Sequence, residues 1–472
     1  MWPPRAVASW VGRAGSAEQK EPQVGGTNPS QNEPRAIPSA LEATLAELAT
    51  GFSFALDAAE GREPGHATKV TYIATLLGQE LGCDAADQRA TFYAALLHDV
   101  GVPIAASGLT GLAGVDEELL FGFAPLSDFD AAEVPYEQRN NAKEVLGTHV
   151  SAAATFLSHP WFPPETQTAV RHSHENWDGT GYPLGAAGED VPIVARILRA
   201  ADLFECVVSG ESNPLAARAH ARSTILGWLG RELQPEITRA LLDLTEDDVF
   251  WLGFYDDGIA DSLIENAPEG VPASGTLLRQ FSNAVADLID AKSGHQPGRA
   301  RRVARYVAAM ADALGMQGDH AALLELIALW NDVGAFGVPN RILVKPDLLS
   351  LDEMQRMRTH PTFSAEIVSR IGVLRGGARW VHAHHERVDG KGYPETLVGP
   401  GIPTEAGILS LADAYVAMTA RRPYRDAMTQ EDATAVIEAG AGSQWDPYLV
   451  QAFLDVLVAD DTPDLHFDVA GA

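Results

Sequence analysis

Residues 172–183 read HSHENWDGTGYP, and residues 383–394 read AHHERVDGKGYP. The second segment repeats the first at an offset of 211 residues. The same offset also pairs polar residues before and after these segments: His149 with His360, His174 with His385, Asp178 with Asp389, Tyr182 with Tyr393, and Asp202 with Asp413. Because chance does not keep several polar residues in register over such a distance, the chain contains an internal duplication.

A second pair of segments extends the duplication upstream. Residues 94–101 read AALLHDVG, and residues 327–334 read IALWNDVG, at an offset of 233 residues. This offset pairs two further sets of residues: His66 with Arg299, and Asp99 with Asp332. The offsets 233 and 211 differ by 22, so copy one carries an insertion of about that size. Its predicted location is the Gly-rich, acidic stretch at about 107–140.

Hydrophobic spacing predicts helices in both copies. In residues 66–82, HATKVTYIATLLGQELG, apolar side chains recur every three or four residues and Gly82 supplies a stop signal. Residues 299–315, RARRVARYVAAMADALG, repeat that pattern and end at Gly315. Alternation typical of strands is scarce. We therefore predict an all-α fold with two tandem helical domains.

The domain organisation follows from the duplication and from local composition. Residues 1–37 are rich in Pro, Gly, Ser, Gln and Asn and show no helical period, which is typical of disorder. The predicted parts are a disordered leader at 1–37, a first domain at 38–255, a linker at 256–275, a second domain at 276–460 and a tail at 461–472.

Composition restricts the partners and the compartment. The formal charge of −30, from 34 basic and 64 acidic residues, argues against a nucleic-acid polymer or an anionic membrane as the partner. It leaves room for a small anionic ligand, because local arginines can dominate a pocket. The two cysteines, Cys83 and Cys206, form no CxxC pair, which favours a reducing compartment and excludes a cysteine-rich zinc site. We expect a cytoplasmic protein without a membrane span.

The duplicated polar residues predict a metal site. In copy one the set is His66, His98, Asp99, His149, His174 and Asp202. Burying several carboxylates and imidazoles without a compensating ion costs several kcal/mol each. Imidazole and carboxylate ligands without thiolates suit iron, manganese, zinc or nickel rather than calcium. A divalent transition metal is thus the expected cofactor.

The combined pattern resembles the HD-GYP branch of the HD phosphohydrolase superfamily. The superfamily signature is His, then an adjacent His-Asp pair, then Asp, and HHE-x-x-DG-x-GYP is typical of the HD-GYP branch. The resemblance covers roughly 40–255 and 276–460. It implies two tandem HD-type helical domains and a bacterial signalling role, because HD-GYP members are known for hydrolysing cyclic dimeric GMP.

The resemblance also implies a role for each polar residue of copy one. It assigns His66, His98, Asp99 and Asp202 to a core ion, and His149 and His174 to a second ion. His98 and Asp99 become the catalytic pair, with Asp99 bridging the ions. The implied chemistry is in-line attack of a metal-bound hydroxide on a phosphodiester.

Copy one departs from the family pattern at the adjacent histidines, where it has Ser173 followed by His174. A neutral hydroxyl is a poor ligand, so the second ion is expected to be weak or missing. His172 is the alternative ligand, although one residue corresponds to about 100° of rotation on a helix. The lysine that commonly follows the His-Asp pair is Val102 in copy one and Ala335 in copy two.

Copy two is degenerate in a different way, because Arg299 and Asn331 replace two histidines. An arginine about 4 Å from a divalent ion is repelled by about 8 kcal/mol at a dielectric near 20, so it must swing out or displace the ion. The predicted remnant of the site is Asp332, His360, His384, His385 and Asp413. In the family, the arginines of RRPYR at 421–425 meet ligand phosphates, which implies that role for Arg422 and Arg425; a solvated basic turn is the alternative.

The GYP segments have two interpretations each. Tyr182 and Tyr393 belong either to a stiff turn or to the functional site. Glu175 and Glu386 either orient ligand histidines or are solvated, and the first interpretation is preferred.

The preferred function is a metal-dependent phosphohydrolase, most specifically a cyclic di-GMP phosphodiesterase or a related phosphodiesterase. Copy one carries the chemistry in this interpretation, and copy two is regulatory or dimerising, so a homodimer is one arrangement. The alternative is a catalytically degenerate cyclic-dinucleotide sensor or interaction scaffold. In both cases the expected ligand is a small anionic nucleotide.

Overall fold

The computed structural model of the chain describes residues 41, 43–105, 147–209, 211, 214–268, 271–294, 297–420 and 427–459. Several predictions concern residues outside these ranges. They are the leader at 1–37, the insertion at about 107–140, the tail at 461–472 and the arginines Arg422 and Arg425. The described residues fall within one compact unit that spans Ile37–Ala472.

Copy one consists of helices and one short strand. After β1 (Ala43–Thr44) its helices are α1 (Leu45–Ala59), α2 (His66–Glu80), α3 (Ala85–Leu97), α4 (Pro164–Arg171), α5 (Ile193–Val208), α6 (Pro214–Trp228), α7 (Pro235–Glu246), α8 (Asp248–Phe254) and α9 (Ile259–Glu265). A further helical stretch, 147–156, lies between α3 and α4.

Copy two begins at strand β2 (Pro272–Ala273). Its helices are α10 (Gly275–Lys292), α11 (Arg299–Ala313), α12 (Gly318–Trp330), α13 (Asn340–Leu343), α14 (Leu351–Met357), α15 (His360–Arg370), α16 (Ala378–His382), α17 (Thr404–Thr419), α18 (Gln430–Gly440) and α19 (Pro447–Ala459). A 3-10 turn at Val333–Gly337 follows α12. The described residues contain only these two-residue strands, so the all-α prediction is confirmed.

The helix bounds repeat at the offsets found in the sequence. Adding 233 to the bounds of α2 and α3 gives the bounds of α11 and α12, and adding 211 to those of α5 gives the bounds of α17. Both GYP segments also contain a cis peptide bond, at Tyr182–Pro183 and at Tyr393–Pro394. The duplication is therefore present in the structure as well as in the sequence.

In each copy, a glycine with positive φ precedes the helix that begins with the first ligand position. Gly65 and Gly298 have φ values of 117° and 86°, a region open to glycine, and the next residue begins the helix. In copy one the Asp57 carboxylate accepts hydrogen bonds from the backbone N–H groups of Gly65 and Ala67. Asp290 accepts from Ala300 in the same way in copy two. These carboxylates satisfy N–H groups that a helix start leaves without partners.

The two copies share one hydrophobic core. The ring of Phe52 on α1 lies 6.1 Å from Phe281, 5.9 Å from Trp330 and 6.0 Å from Phe336, all in copy two. Strand β1 pairs antiparallel with β2, so Ala43 faces Ala273. The predicted linker at 256–275 thus contains α9 and β2, and its buried Leu263 belongs to the core. The domain limits themselves stay a prediction.

A membrane crossing requires a long and strongly apolar helix. None of the helices in the described part of the chain meets that requirement.

Candidate metal sites

Three segments of copy one bring four ligand candidates together. His66 is the first residue of α2, His98 and Asp99 follow the end of α3, and Asp202 lies on α5. Ligand atoms of His66, His98 and Asp99 all lie within 4.8 Å of one another. Asp202 Oδ1 is 3.7 Å from His66 Nε2 and 3.9 Å from His98 Nε2. All four residues are buried.

Hydrogen bonds fix which nitrogen of each imidazole faces this cluster. His98 Nδ1 lies 2.9 Å from the carbonyl oxygen of Ala95, and His66 Nδ1 lies 2.5 Å from a carboxylate oxygen of Glu205. Both partners accept only, so each Nδ1 carries the hydrogen and each Nε2 faces the carboxylates. Among the described residues, His66 Nε2 has no hydrogen-bond partner.

Carboxyl groups outnumber arginines around the cluster, where Arg62 pairs with Glu60 at 2.6 Å and Arg199 lies 3.9 Å from Asp202. Five carboxylates line it or adjoin it: Asp57, Glu60, Asp99, Asp202 and Glu205. Burial, and next the charge of Asp99, raise the pKa of Glu60 to about 8. Burial acts to lower the pKa of His98, but Asp99 at 2.8 Å outweighs it and raises that pKa to about 10. The carboxylates therefore hold a positive charge on His98, and a metal ion is the alternative way to supply one.

The other predicted ligands of copy one form a second group. His149, on the helical stretch 147–156, has its Nε2 atom 3.1 Å from Nε2 of His174. The His174 ring stacks on Tyr182 at 4.8 Å. Ser173 donates its hydroxyl to the carbonyl oxygen of Val170, and His172 Nδ1 bonds the carbonyl oxygen of Thr168 in the preceding helix, α4. Among the described residues, neither Ser173 nor His172 belongs to a candidate metal cluster, and neither do His149 and His174.

Arg199 is a buried cation beside this site that the sequence analysis missed. Its Nη1 atom is 3.9 Å from Asp202 Oδ2, and its Nη2 donates to the Asn176 side chain at 3.2 Å. The equivalent residue of copy two is Ser410, at the offset of 211. The pair Ser173 and Arg199 in copy one thus corresponds to His384 and Ser410 in copy two. A position-by-position comparison of the two copies in the sequence identifies Arg199.

In copy two, Arg299 lies within the cluster rather than outside it. Its Nη1 donates to Asp332 Oδ2 at 3.1 Å, and its Nη2 donates to Asp413 Oδ1 at 2.5 Å. The side chain is buried, and these two carboxylates are the equivalents of Asp99 and Asp202. Of the two expected outcomes, this geometry matches displacement of the ion by Arg299.

A four-residue cluster of copy two lies on the other side of Asp332. Ligand atoms of Asp332, His360, His384 and His385 all lie within 4.8 Å of one another. Asp332 Oδ1 is 3.5 Å from the Nε2 atoms of His360 and of His384, and His385 Nε2 is 3.1 Å from His360 Nε2. Asp413, the remaining predicted member, contacts Arg299 instead.

Neither interpretation of the two GYP-segment glutamates matches the structure. Both side chains are buried, and each accepts backbone hydrogen bonds from its own loop. Glu175 accepts from Leu184 and Gly185, and Glu386 accepts from Glu395 and Leu397. They hold the loop that presents Tyr182 or Tyr393 to a histidine ring, at 4.8 Å and 4.9 Å. The tyrosines therefore contact the sites directly.

Comparison with known proteins agrees with this architecture. The HD domain family matches residues 135–224 and 283–449, which together make up more than half of the chain. A 3'3'-cGAMP-specific phosphodiesterase 3 of Vibrio cholerae is 26% identical over 85% of this chain and 92% of its own length. The cyclic di-GMP phosphodiesterase response regulator RpfG of Xanthomonas campestris is 34% identical over 37% of this chain, which spans 47% of that relative.

A solved structure shares the fold. The crystal structure of a cyclic GMP-AMP specific phosphodiesterase of V. cholerae, V-cGAP3, superimposes with a TM-score of 0.64 at 24% identity, covering 90% of this chain and 99% of the other. The family match and the repeated GYP segments lead to the same family assignment. The chain belongs to the HD domain family and is a tandem HD-GYP protein.

Proposed function

We propose that copy one is a metal-dependent phosphodiesterase that hydrolyses a cyclic dinucleotide. The substrate class is that of the relatives, which are named for cyclic di-GMP and 3'3'-cGAMP. The proposed ion is iron, manganese, zinc or nickel, because the donors are imidazoles and carboxylates without a thiolate. Its proposed ligands are His66, His98, Asp99 and Asp202.

The observation that carries this proposal is the orientation of the two imidazoles of the first cluster. Both direct Nε2 at the carboxylates of Asp99 and Asp202, and Glu205 or a backbone carbonyl holds each Nδ1. An imidazole whose other nitrogen bonds a carboxylate or a carbonyl is the usual arrangement of a metal ligand in proteins. A purely structural core would leave the buried Nε2 of His66 without a partner.

The residues around the cluster have distinct proposed roles. A bound divalent ion supplies an acidified water near neutral pH and neutralises charge on phosphoryl oxygens. Asp99 and Asp202 place negative charge where the ion must sit, and Glu205 fixes the ring of His66. Arg199, the buried cation next to Asp202, has the proposed role of binding a substrate phosphate. In copy two, the segment RRPYR provides arginines for this role. The aligned segment of copy one, GESNP at 210–214, contains no arginine, so Arg199 is proposed to supply the positive charge instead.

The second candidate function, a degenerate sensor, is favoured for copy two only. Arg299 fixes a positive charge between Asp332 and Asp413, at the position where copy one has His66. An arginine cannot act as a metal ligand, so copy two lacks the four-ligand set that copy one is proposed to use for turnover. We therefore propose that copy two is regulatory.

The test is hydrolysis by the full-length chain after removal and return of metal. The chain, stripped with a chelator, is supplied with Fe²⁺, Mn²⁺, Zn²⁺ or Ni²⁺ and incubated with cyclic di-GMP, 3'3'-cGAMP and bis-p-nitrophenyl phosphate. We expect metal-dependent turnover of at least one cyclic dinucleotide, lost in Asp99→Ala. Turnover of none of the three substrates with any metal would contradict the proposal.

A further inference from the structure

The two copies differ at the same place in three side chains that act together. Where copy one has His66, Glu205 and Glu60, copy two has Arg299, Val416 and Ser293. In copy one Glu205 holds the His66 ring, and Glu60 accepts a hydrogen bond from Arg62 at 2.6 Å. Copy two has therefore gained a buried guanidinium and lost two buried carboxyl groups at this position. This position of copy two is therefore more positive than in copy one, as expected if an arginine takes the place of a metal ion.

We propose that Arg299 is a built-in cation that occupies one ion position of copy two, so that copy two binds a single transition-metal ion through Asp332, His360, His384 and His385. This inference goes beyond the proposed function, and it does not depend on whether copy one hydrolyses any substrate.

The guanidinium of Arg299 bonds only one of the two oxygens of Asp332, the carboxylate that both proposed cation positions share. Arg299 donates to Asp332 Oδ2 at 3.1 Å, whereas Asp332 Oδ1 faces the histidines at 3.5 Å. Asp413, the other carboxylate of the position, is bonded by the second amino group of Arg299. One oxygen of Asp332 is therefore left to act as a ligand while the arginine stays in place.

The imidazoles of copy two direct their lone pairs at that oxygen. His360 Nδ1 lies 2.7 Å from the Met357 carbonyl oxygen, and His384 Nδ1 lies 2.5 Å from the Val381 carbonyl oxygen. Each Nδ1 must donate, so each Nε2 faces Asp332 Oδ1. His384 is fully buried, and its Nε2 has no hydrogen-bond partner among the described residues. A cation between these atoms would satisfy all of them.

His385 completes the donor set. Its Nε2 is 3.1 Å from Nε2 of His360, and its ring stacks on Tyr393, which holds it against the cluster. Three imidazoles and one carboxylate oxygen suit zinc, iron, nickel or cobalt, and they disfavour magnesium and calcium. Copy one lacks this set because Ser173 stands where copy two has His384.

The experiment counts ions in the full-length chain after copy one has been silenced. The background is His98→Ala/Asp99→Ala/His149→Ala, and the probe is Co²⁺, followed by its visible d–d absorption and by elemental analysis after gel filtration. We expect about one Co²⁺ per chain in this background. Adding His360→Ala/His384→Ala should remove it and its absorption band.

The arginine is tested by a reciprocal substitution in the same background. Arg299→His/Asn331→His restores the residues that copy one has, and we expect the count to rise from one to two Co²⁺ per chain. Arg299→Gln tests the charge alone and should keep the first ion. Circular dichroism verifies that each variant is folded.

Three results would overturn the proposal. The silenced background binds no Co²⁺, it binds two ions with Arg299 present, or the folded Arg299→His/Asn331→His variant still binds only one. Because none of these counts involves turnover, a failure here is distinct from a failure of the proposed phosphodiesterase activity.

Discussion

At the level of single residues, the partner of each histidine Nδ1 decides what its Nε2 can do. Glu205 and the Ala95 carbonyl orient the rings of His66 and His98 in copy one. The histidines of this cluster were predictable from their repetition along the chain. Glu205 was not, because an acidic residue three positions after Asp202 on a helix has no signature of its own. Only the comparison with copy two, which has neither a histidine nor a glutamate at the equivalent positions, connects His66 with Glu205.

Replacing Glu205 by the residue that copy two has there should weaken the ion of copy one. In Glu205→Val the His66 ring loses its acceptor, and loss of such an outer partner typically costs 10–100-fold in metal affinity. Competition between the full-length chain and a chromophoric chelator measures this. Val416→Ala, at the equivalent position of copy two, is the control and should leave copy one unchanged. Equal affinity of Glu205→Val and the wild type would contradict the assigned role.

The buried cation Arg199 should act on substrate rather than on metal. For Arg199→Ser, which introduces the residue of copy two, we expect KM for a cyclic dinucleotide to rise about tenfold, equivalent to about 1.4 kcal/mol. The metal content should not change. Arg196→Ser is the control on the same helix, because Arg196 lies over Trp177 and bonds Gln234 instead. An unchanged KM in Arg199→Ser would remove Arg199 from the substrate site.

At the level of elements, backbone contact fixes the distance between the two halves of each site. A Cβ atom on Gly101 would lie 1.8 Å from the carbonyl oxygen of His149, and one on Gly334 would lie 2.1 Å from that of His360. The turn after the His-Asp pair therefore packs directly on the next ligand helix. These glycines end the repeated segments AALLHDVG and IALWNDVG, but the reason for the glycine depends on a tertiary contact that a single sequence does not contain.

Gly101→Ala should separate these elements. The added methyl group must push the helix that carries His149 away, and overpacking of this kind costs roughly 1–3 kcal/mol. We expect a lower melting temperature together with weaker metal binding. Gly227→Ala is the control, because a Cβ atom there meets no atom within 4 Å. A Gly101→Ala variant as stable as Gly227→Ala would show that the contact is not rigid.

At the level of the whole molecule, the two copies form one core around α1. Phe52 reaches Phe281, Trp330 and Phe336 of copy two and Phe156 of copy one. The duplication and the helices could be predicted because polar repeats and apolar spacing are local properties. The shared core could not, because the apolar face of α1 does not indicate which helices cover it.

Phe52→Ala should destabilise both copies at once. Removal of a buried phenylalanine typically costs 3–5 kcal/mol. Because the ring contacts both copies, we expect one unfolding transition, shifted to lower denaturant, in a chemical denaturation followed by circular dichroism. Tyr448→Ala, at an exposed aromatic side chain, is the control and should change stability little. Two separate transitions, with only one of them shifted, would mean that the copies are independent.

The central claim is that copy one carries out the hydrolysis. A matched pair of variants tests this claim. His98 and Asn331 occupy equivalent buried positions at the offset of 233 residues. The measurement is the metal-dependent hydrolysis of cyclic di-GMP and 3'3'-cGAMP by full-length His98→Ala and Asn331→Ala, compared with the wild type. The account predicts that His98→Ala loses turnover and that Asn331→Ala keeps most of it. Loss of turnover in Asn331→Ala with retention in His98→Ala would contradict it.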